Sequence, residues 1–473
     1  MSPEAVAPSA GSPPKRPTWS LVLVAAIAIA MLAVLSDRHP GLRLVDFLSF
    51  SARADRVLRG EDLVHALYPV GYPLSLGALS TAADPLVAGR LLSALGGVTA
   101  VVAAARWLGP AAGLFLLVQP GVLTFGATEG TDMLAVGLGL AALSARTEDR
   151  PGIAGVLAGL AALTRYTSAA LLLALLVPTA SGDRRTQLRA IGLGVATFLL
   201  TTTPHWLVAL WTGGSVLPDQ SGNMAIGANA RIHGLGLHTL VRLPDGLASA
   251  VPWVLSGPAV GLGLIALLIV IFLPKRARDR VQLEGTDRLD ALRLAAWGGA
   301  HMLLVAVAFA NTRLVLPTRL VLALGVALAL RRWPRTLVVL TIPLALWTLP
   351  AAWQIGPGEE RLAGVVDILE DLDGPLARAY FLTTDPWVYR QAGGQLESGT
   401  PIREVGGDPR RIGPEQVADY ARLRGYGLVV VDVGRVQRTY PALAPLLDTP
   451  PTTDALHPVG RCPGYRVFAL TAP

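Results

Sequence analysis

Residues 85–107, PLVAGRLLSALGGVTAVVAAARW, form a long apolar run that decides the class of fold. A helix needs about 20 mostly apolar residues to cross the hydrocarbon core of a bilayer, and this run meets that length. Comparable runs recur along the chain, although several are shorter. We interpret them as about eleven transmembrane helices: 19–35, 85–107, 110–127, 131–145, 152–164, 167–179, 191–211, 251–273, 292–310, 314–330 and 336–353. The sequence therefore predicts an all-α polytopic membrane protein.

The composition agrees with this class. Of the 473 residues, 52% are hydrophobic and 15% are charged, and the mean hydropathy is +0.50. The net charge of +7 does not indicate nucleic-acid binding, because the Lys and Arg residues lie in loops between apolar runs. Cys462 is the only cysteine, which excludes an intramolecular disulfide or a thiolate metal cluster.

The arginine-dense loops predict the orientation in the membrane. If Lys15 and Arg16 are cytoplasmic, alternation of the runs also places the later basic segments in the cytoplasm. These segments are Arg106, 146–150, 184–189, 275–293 and 331–335. The loop 36–84 and everything after Trp353 then lie outside. We expect a multi-pass protein of the inner (cytoplasmic) membrane.

One short segment, Arg165-Tyr166, interrupts the apolar run 152–179. The run is either two short helices or one helix with a break. One helix would invert every later loop, so the distribution of Arg favours two.

We expect three parts: a disordered cytoplasmic tail over 1–18, a transmembrane domain over 19–353, and a small extracytoplasmic α/β domain over 354–473. Gly and Pro residues near 354–360 end the last apolar run. Beyond them the pattern favours strands and one helix, because short runs with β-branched residues appear and a Pro stands in the first turn of an amphipathic run. The strands are predicted at 378–384, 428–433 and 465–470, and the helix at 414–424.

The first outer loop is the most informative segment for function. On a helix, Asp46 would lie on the same face as Ser49 and Arg53. The aromatic and Pro-rich stretch 68–73, YPVGYP, follows it, and then an apolar run too short to span. Such a stretch suits a helix at the membrane interface, with Tyr at headgroup depth.

The second outer turn carries Glu129 and Asp132 at the membrane boundary. Acidic groups at this depth are costly and are usually functional. The alternative is that they cap the N-terminus of the following helix.

Four short motifs occur together and in order. They are Asp46, Gly60 and Tyr68-Pro69-Val70-Gly71-Tyr72-Pro73; Glu129-Gly130-Thr131-Asp132; Gly159-Leu160-Ala161-Ala162-Leu163-Thr164-Arg165-Tyr166; and Arg313-Leu314-Val315-Leu316-Pro317. This set resembles the GT-C glycosyltransferases, which include protein O-mannosyltransferases and aminoarabinose transferases. Two features of that family are absent: Asp46 is followed by Phe47 rather than a second acid, and the last corner lacks its Tyr. The Lys-Pro-Pro of the aminoarabinose branch is also missing, so neither sugar nor acceptor follows from the resemblance.

The resemblance implies an inverting glycosyltransferase that moves a sugar from a polyprenyl phosphate to a glycan, lipid or protein acceptor on the outer face of the membrane. Transfer needs a carboxylate to take the acceptor proton and cations to stabilise the leaving phosphate. The predicted catalytic acids are Asp46, Glu129 and Asp132, with Asp46 as the base. The predicted substrate-binding residues are Tyr68, Tyr72, Arg165, Tyr166, Arg231 and Arg313. Snorkelling to the interface is the alternative for each Arg.

A divalent metal between acid and phosphate is also a hypothesis, with Asp46, Asp132 and His233 as candidate ligands. His205, His233 and His238 match no strong metal motif, and His301 fits a hydrogen-bonded bundle residue better than a ligand. The rival function is a transporter or flippase for a lipid-linked or anionic substrate, because intramembrane charges and broken helices also line substrate pathways. No inverted repeat is evident, however, and the acids cluster on one side.

Overall fold

The structure is a computed structural model with two parts, a helical bundle that ends at Trp353 and a smaller α/β unit that follows. It describes residues 18–38, 45–61, 63, 69–179, 183–211, 237–256, 259–274, 277, 285–308, 314–353, 365, 368, 379–382, 412–423, 425–439, 441–448 and 455–470. The predicted tail over 1–18 lies outside these residues except for its last position.

The helices of the bundle lie mostly within the predicted apolar runs, although Leu237–Leu255 begins well before the run 251–273, and Val45–Leu58 and Gly71–Ser80 lie in the predicted loop 36–84. They are α1 Thr18–Arg38, α2 Val45–Leu58, α3 Gly71–Ser80, α4 Pro85–Leu108, α5 Pro110–Leu117, α6 Pro120–Ala127, α7 Asp132–Thr147, α8 Pro151–Thr164, a 3₁₀ helix Tyr166–Ala170, α9 Leu171–Leu175, α10 Arg184–Trp211, α11 Leu237–Leu255, α12 Val260–Phe272, α13 Gly285–Ala308, α14 Leu316–Ala329 and α15 Pro334–Trp353.

Within the described residues, four helices are long and apolar enough to cross a membrane: α1, α4, α10 and α15. The bent pair α5 and α6 makes a fifth candidate span, and shorter apolar helices accompany them. The predicted membrane class and the helical bundle therefore agree with the structure, whereas the number of eleven spans stays a prediction.

Local sequence explains where α4 begins and ends. The Asp84 carboxylate accepts hydrogen bonds from the amides of Leu86 (2.9 Å) and Val87 (3.4 Å), and Pro85 occupies the first helical position. Gly109, at a φ of 121°, ends the helix. This conformation is rarely adopted by other residues, and it lets α5 start at once.

Two predicted spans are divided in the structure. The run 110–127 is two helices at an angle of 69°, because Pro120 lacks an amide hydrogen and keeps Gln119 extended. The run 251–273 is also not one helix. It is shared between the end of α11 and α12, and Gly257-Pro258 stands between them in the sequence.

Helices α4 and α7 touch through glycines, and this contact fixes the centre of the bundle. A Cβ atom on Gly137 would come within 2.3 Å of the Gly96 carbonyl oxygen, and one on Gly96 within 2.4 Å of the Met133 backbone. Small residues of this kind let membrane helices approach closely.

Four arginines, through one ion pair and three hydrogen bonds to backbone carbonyls, connect the basic loops at one end of the bundle. Arg106 pairs with Glu148. Arg146 donates to the Val177 carbonyl (3.3 Å) and Arg293 to the Pro178 carbonyl (2.6 Å). Arg331 donates to the Trp107 carbonyl (3.3 Å), which closes the ring. We call the end marked by Arg106, Arg146, Arg293 and Arg331 the arginine-rich end.

Contacts at the two ends of α7 decide whether the segment around Arg165 is one helix or two. Arg165 contacts Asp132 at the start of α7, whereas Val177 contacts Arg146 near its end. Helix α8 and the segment that follows it therefore run in opposite directions along α7. The interpretation as two short helices matches the structure.

The α/β unit contains α16 Pro414–Leu423, α17 Val433–Thr439 and a 3₁₀ helix Pro441–Leu447. Its strands are β1 Ala379–Leu382, β2 Leu428–Asp432, β3 Leu456–Cys462 and β4 Tyr465–Leu470, and they form one sheet in the order β1-β2-β4-β3. Strands β1 and β2 are parallel, and the other pairs are antiparallel. Strands β1, β2 and β4 and helix α16 match the predicted elements closely, whereas β3 and α17 were not predicted.

Candidate functional site

The turn before α7 places two acids at the end of the bundle that is opposite the arginine-rich end. Gly130 has a φ of 151°, which favours glycine, and its carbonyl accepts a hydrogen bond from the Ser93 hydroxyl of α4 (3.0 Å). Glu129 and Asp132 flank this turn, and both are buried. We call the end marked by Glu129, Asp132 and Arg165 the Asp132 end.

Asp132 forms an ion pair with Arg165. One nitrogen of Arg165, Nη1, donates to the Asp132 carboxylate and also to the Thr131 hydroxyl (2.9 Å). The Asp132 side chain is 2% exposed and that of Arg165 17%. The N-cap position of α7 is Thr131, and it makes no side-chain capping bond. The pair with Arg165 is therefore a contact of this carboxylate that its position at the start of α7 did not indicate.

Glu129 lies where the first outer loop meets α4. A Cβ atom on Gly89 of α4 would come within 2.3 Å of the Phe47 ring and 3.2 Å of Glu129 Cβ. Phe47 follows Asp46 in α2, so α2 reaches the Glu129 turn through the Phe47 ring. Arg53 stands two turns after Asp46 on the same helix face.

Helices α2 and α3 pack on each other and against α8. Tyr72 is fully buried, with its ring edge-on to Phe50 at a centroid distance of 5.0 Å and an angle of 72°. A Cβ atom on Gly71 would come within 2.5 Å of the Leu163 carbonyl oxygen. Arg53, only 2% exposed, donates to the Pro69 carbonyl (3.4 Å). The aromatic and Pro-rich stretch is therefore held close to the Arg165 turn.

An aromatic cluster that sequence reasoning missed adjoins the same turn. The Tyr166 hydroxyl and His205 Nε2 are 3.2 Å apart, and the Tyr166 ring stacks on Trp206 at a centroid distance of 6.0 Å and an angle of 25°. Arg53 lies within electrostatic range of both Tyr166 and His205. Because α10 is remote from Tyr166 in the sequence, no local signal links these residues.

His301 lies deeper in the bundle. It is fully buried, and its Nδ1 is 3.1 Å from the Thr318 hydroxyl. It also lies within electrostatic range of Asp132 and Arg165. The hydrogen bond agrees with the expected role as a bundle residue.

Several predicted site residues are outside what the structure describes. Tyr68, Arg231, His233 and Arg313 lie outside the described residues, and for Asp46 and His238 the structure describes the helix but not the side chain. Among the described residues, no three His, Cys, Asp or Glu side chains group to hold a metal ion. The part of the site that the structure brings together is therefore Glu129, Asp132, Arg165, Tyr166 and Tyr72.

Solved structures identify the class of fold. The chain shares its fold with ArnT. The structure of ArnT from Cupriavidus metallidurans bound to undecaprenyl phosphate matches with a TM-score of 0.55 and 17% identity, over 96% of this chain and 98% of that chain. The apo structure of ArnT from the same organism matches with a TM-score of 0.53 and 15% identity, over the same shares. No protein-family model and no curated protein sequence matches the chain.

The fold that the resemblance implied is thus confirmed, across nearly the whole chain. Together with the apolar helices, this fold supports a membrane protein.

Proposed function

We propose that the protein is an inverting glycosyltransferase that moves a sugar from a polyprenyl phosphate to an acceptor on the outer face of the cytoplasmic membrane. The observation that carries the proposal is the buried Asp132–Arg165 pair at the end of the bundle opposite the arginine-rich end. The shared fold with ArnT, a protein that has been solved with undecaprenyl phosphate bound, supports a lipid phosphate as the donor group.

Arg165 is arranged to bind a phosphate. Its Nη1 is held by Asp132 and Thr131, and its Nε and Nη2 have no hydrogen-bond partner among the described residues. The side chain is 17% exposed, so these donors are accessible. A guanidinium fixed on one side can offer its remaining donors to phosphate oxygens, as planar two-point binding requires.

In the proposed reaction, an acceptor hydroxyl attacks the anomeric carbon of the sugar from the face opposite the phosphate. A carbon–oxygen bond forms there, and the bond to the phosphate oxygen breaks. The hydroxyl proton goes to a carboxylate, which we assign to Asp46, and the leaving polyprenyl phosphate keeps the electron pair. Arg165, with Arg231 and Arg313 as further candidates, stabilises its charge.

The test is transfer from undecaprenyl-phosphate-linked sugars by purified variants in liposomes, with release of undecaprenyl phosphate measured by mass spectrometry. We expect Asp46→Asn to lose about 10²–10⁴-fold in rate, which is the usual contribution of a general base. The exposed Asp55, nine positions later in the same helix, provides the control Asp55→Asn. Near-normal transfer by Asp46→Asn would refute the assignment, and loss only in Asp132→Asn would move the base to the second turn. Translocation of the intact lipid without release would favour a flippase.

The proposal also includes a divalent metal, for which Asp46, Asp132 and His233 are the candidate ligands. Transfer that is lost with EDTA and restored by Mg²⁺ or Mn²⁺ would support it. Transfer that EDTA leaves unchanged would remove the metal from the mechanism.

A further inference from the structure

Arg146 is a fully buried positive charge at the arginine-rich end. Its side chain is 0% exposed, and its Nη2 donates to the Val177 carbonyl at 3.3 Å. Within the described part of the chain, its Nε and Nη1 have no hydrogen-bond partner. Arg146 forms no ion pair there, and the negative charge of Asp149 acts on it from a longer distance. An ionised group that is buried without a close counter-charge is costly.

Arg293 increases the excess of positive charge. It is 3% exposed and donates to the Asp290 carboxylate (2.7 Å) and to the Pro178 carbonyl (2.6 Å). Its Nε also has no partner among the described residues. The two guanidiniums donate to the carbonyls of consecutive residues, Val177 and Pro178, and the charge of Arg293 acts on Arg146.

Neutral donors without partners come from the same end of the bundle. Ser144 lies two residues before Arg146, and the Trp297 indole is one helical turn from Arg293. Both side chains are buried, and their polar atoms have no hydrogen-bond partner among the described residues. Buried donors in folded proteins are almost always paired, so a concentration of unpaired donors indicates a group that binds there.

The charges identify that group. Arg146, Arg293 and Arg331 face only two buried carboxylates, Asp287 and Asp290, among the ion pairs that the described residues form here. Water would satisfy the donors but would not balance the charge. A phosphate does both, because its oxygens accept several hydrogen bonds and match the planar donors of arginine.

We propose that the arginine-rich end binds a phosphate group between Arg146 and Arg293, supplied either by the headgroup of an anionic phospholipid or by free inorganic phosphate. The Arg331 side chain, 27% exposed, marks where the cluster reaches the surface. Asp132 and Arg146 stand at opposite ends of α7, about 21 Å apart at 1.5 Å per residue. The site is therefore separate from the proposed transferase site and does not depend on it. Basic pockets between membrane helices are known to hold lipid headgroups.

The test uses the purified full-length chain, stripped of lipid in phosphate-free buffer. Thermal unfolding is followed during titration with inorganic phosphate and, separately, with short-chain phosphatidylglycerol, with chloride as the reference anion. We expect saturable stabilisation of the wild type, with apparent affinity about 10–100-fold weaker in Arg146→Gln, because charged hydrogen bonds are lost. The exposed Arg335 of the same end provides the control Arg335→Gln, which should behave as the wild type.

A response to both probes, or to inorganic phosphate alone, assigns a free phosphate site, and a response only to phosphatidylglycerol assigns a lipid headgroup. Equal responses of the wild type and Arg146→Gln would overturn the proposal. If Arg146→Gln does not fold, the wild type alone decides: stabilisation by neither probe beyond that by chloride also overturns it.

Discussion

The buried pair of Asp132 and Arg165 permits a quantitative test. Arg165→Gln keeps a polar side chain but removes the guanidinium that pairs with the Asp132 carboxylate, which is 2% exposed. Breaking a buried ion pair from one side typically destabilises a protein by about 3–5 kcal/mol. In an Asp132→Asn background no charge is stranded, and Arg165→Gln then removes a hydrogen bond worth about 1 kcal/mol. The expected coupling between the two positions is therefore about 2–4 kcal/mol.

The assay compares four proteins: the wild type, Arg165→Gln, Asp132→Asn and the double variant. Each is unfolded reversibly in mixed detergent micelles by titration with SDS, and its helicity is measured by circular dichroism. An exposed ion pair provides the control: Arg59 and Glu61 are 3.3 Å apart, with side chains 59% and 57% exposed. Arg59→Gln should have no measurable effect, because exposed pairs contribute little. If Arg165→Gln costs the same in both backgrounds, within about 0.5 kcal/mol, the two residues are not coupled and the reasoning is refuted.

Three further outcomes are expected. A periplasmic reporter fused after Trp353 should be active and one near Arg280 silent, because of the positive-inside distribution of Arg; the reverse pattern would invert the proposed orientation. Arg165→Ala should weaken binding of undecaprenyl phosphate, measured on the folded fraction. Arg165→Lys should bind better than Arg165→Ala but less well than the wild type, because an ammonium cannot make the planar two-point contact. Unchanged binding in Arg165→Ala would leave Arg165 with a structural role alone. Gly137→Ala should destabilise the bundle by about 1–3 kcal/mol through overpacking, whereas Gly192→Ala, where a Cβ meets nothing within 4 Å, should be neutral or slightly stabilising in the same SDS titration.

Elements whose signal is local were predicted well. The helix expected at 414–424 is Pro414–Leu423, and the strand expected at 465–470 is Tyr465–Leu470. Apolar period, terminal Pro and β-branched content all lie within a few residues of the element that they specify. The break at Arg165 was also predicted, but from the distribution of Arg over distant loops rather than from a local signal.

Features that depend on distant partners were not predictable. Arg53 looked like one of several charges in a loop, yet it is buried against Pro69. The sequence also left open whether Asp132 was a cap or a functional acid, because only the fold brings Arg165, 33 positions away, onto its carboxylate. The Tyr166–His205 contact joins residues 39 positions apart on helices of unrelated pattern. Charge and polarity indicate that such residues need partners, but they do not specify which ones.

The bend between α5 and α6 has a consequence for how the chain is assembled in the membrane. The carbonyl of Val118 at this bend accepts a hydrogen bond from the Thr348 hydroxyl of α15, at 2.9 Å and 230 positions away. The same hydroxyl lies 2.9 Å from the Leu344 carbonyl, so the two carbonyls share its one proton. Since chains grow at about 5–20 residues per second, this donor arrives roughly 10–50 s after the carbonyl has been made. During that interval an unpaired carbonyl in hydrocarbon would be costly, so the bent pair must wait near water or protein. Insertion of α15 is then the step that supplies the hydrogen bond to the Val118 carbonyl and completes the packing of α5 and α6.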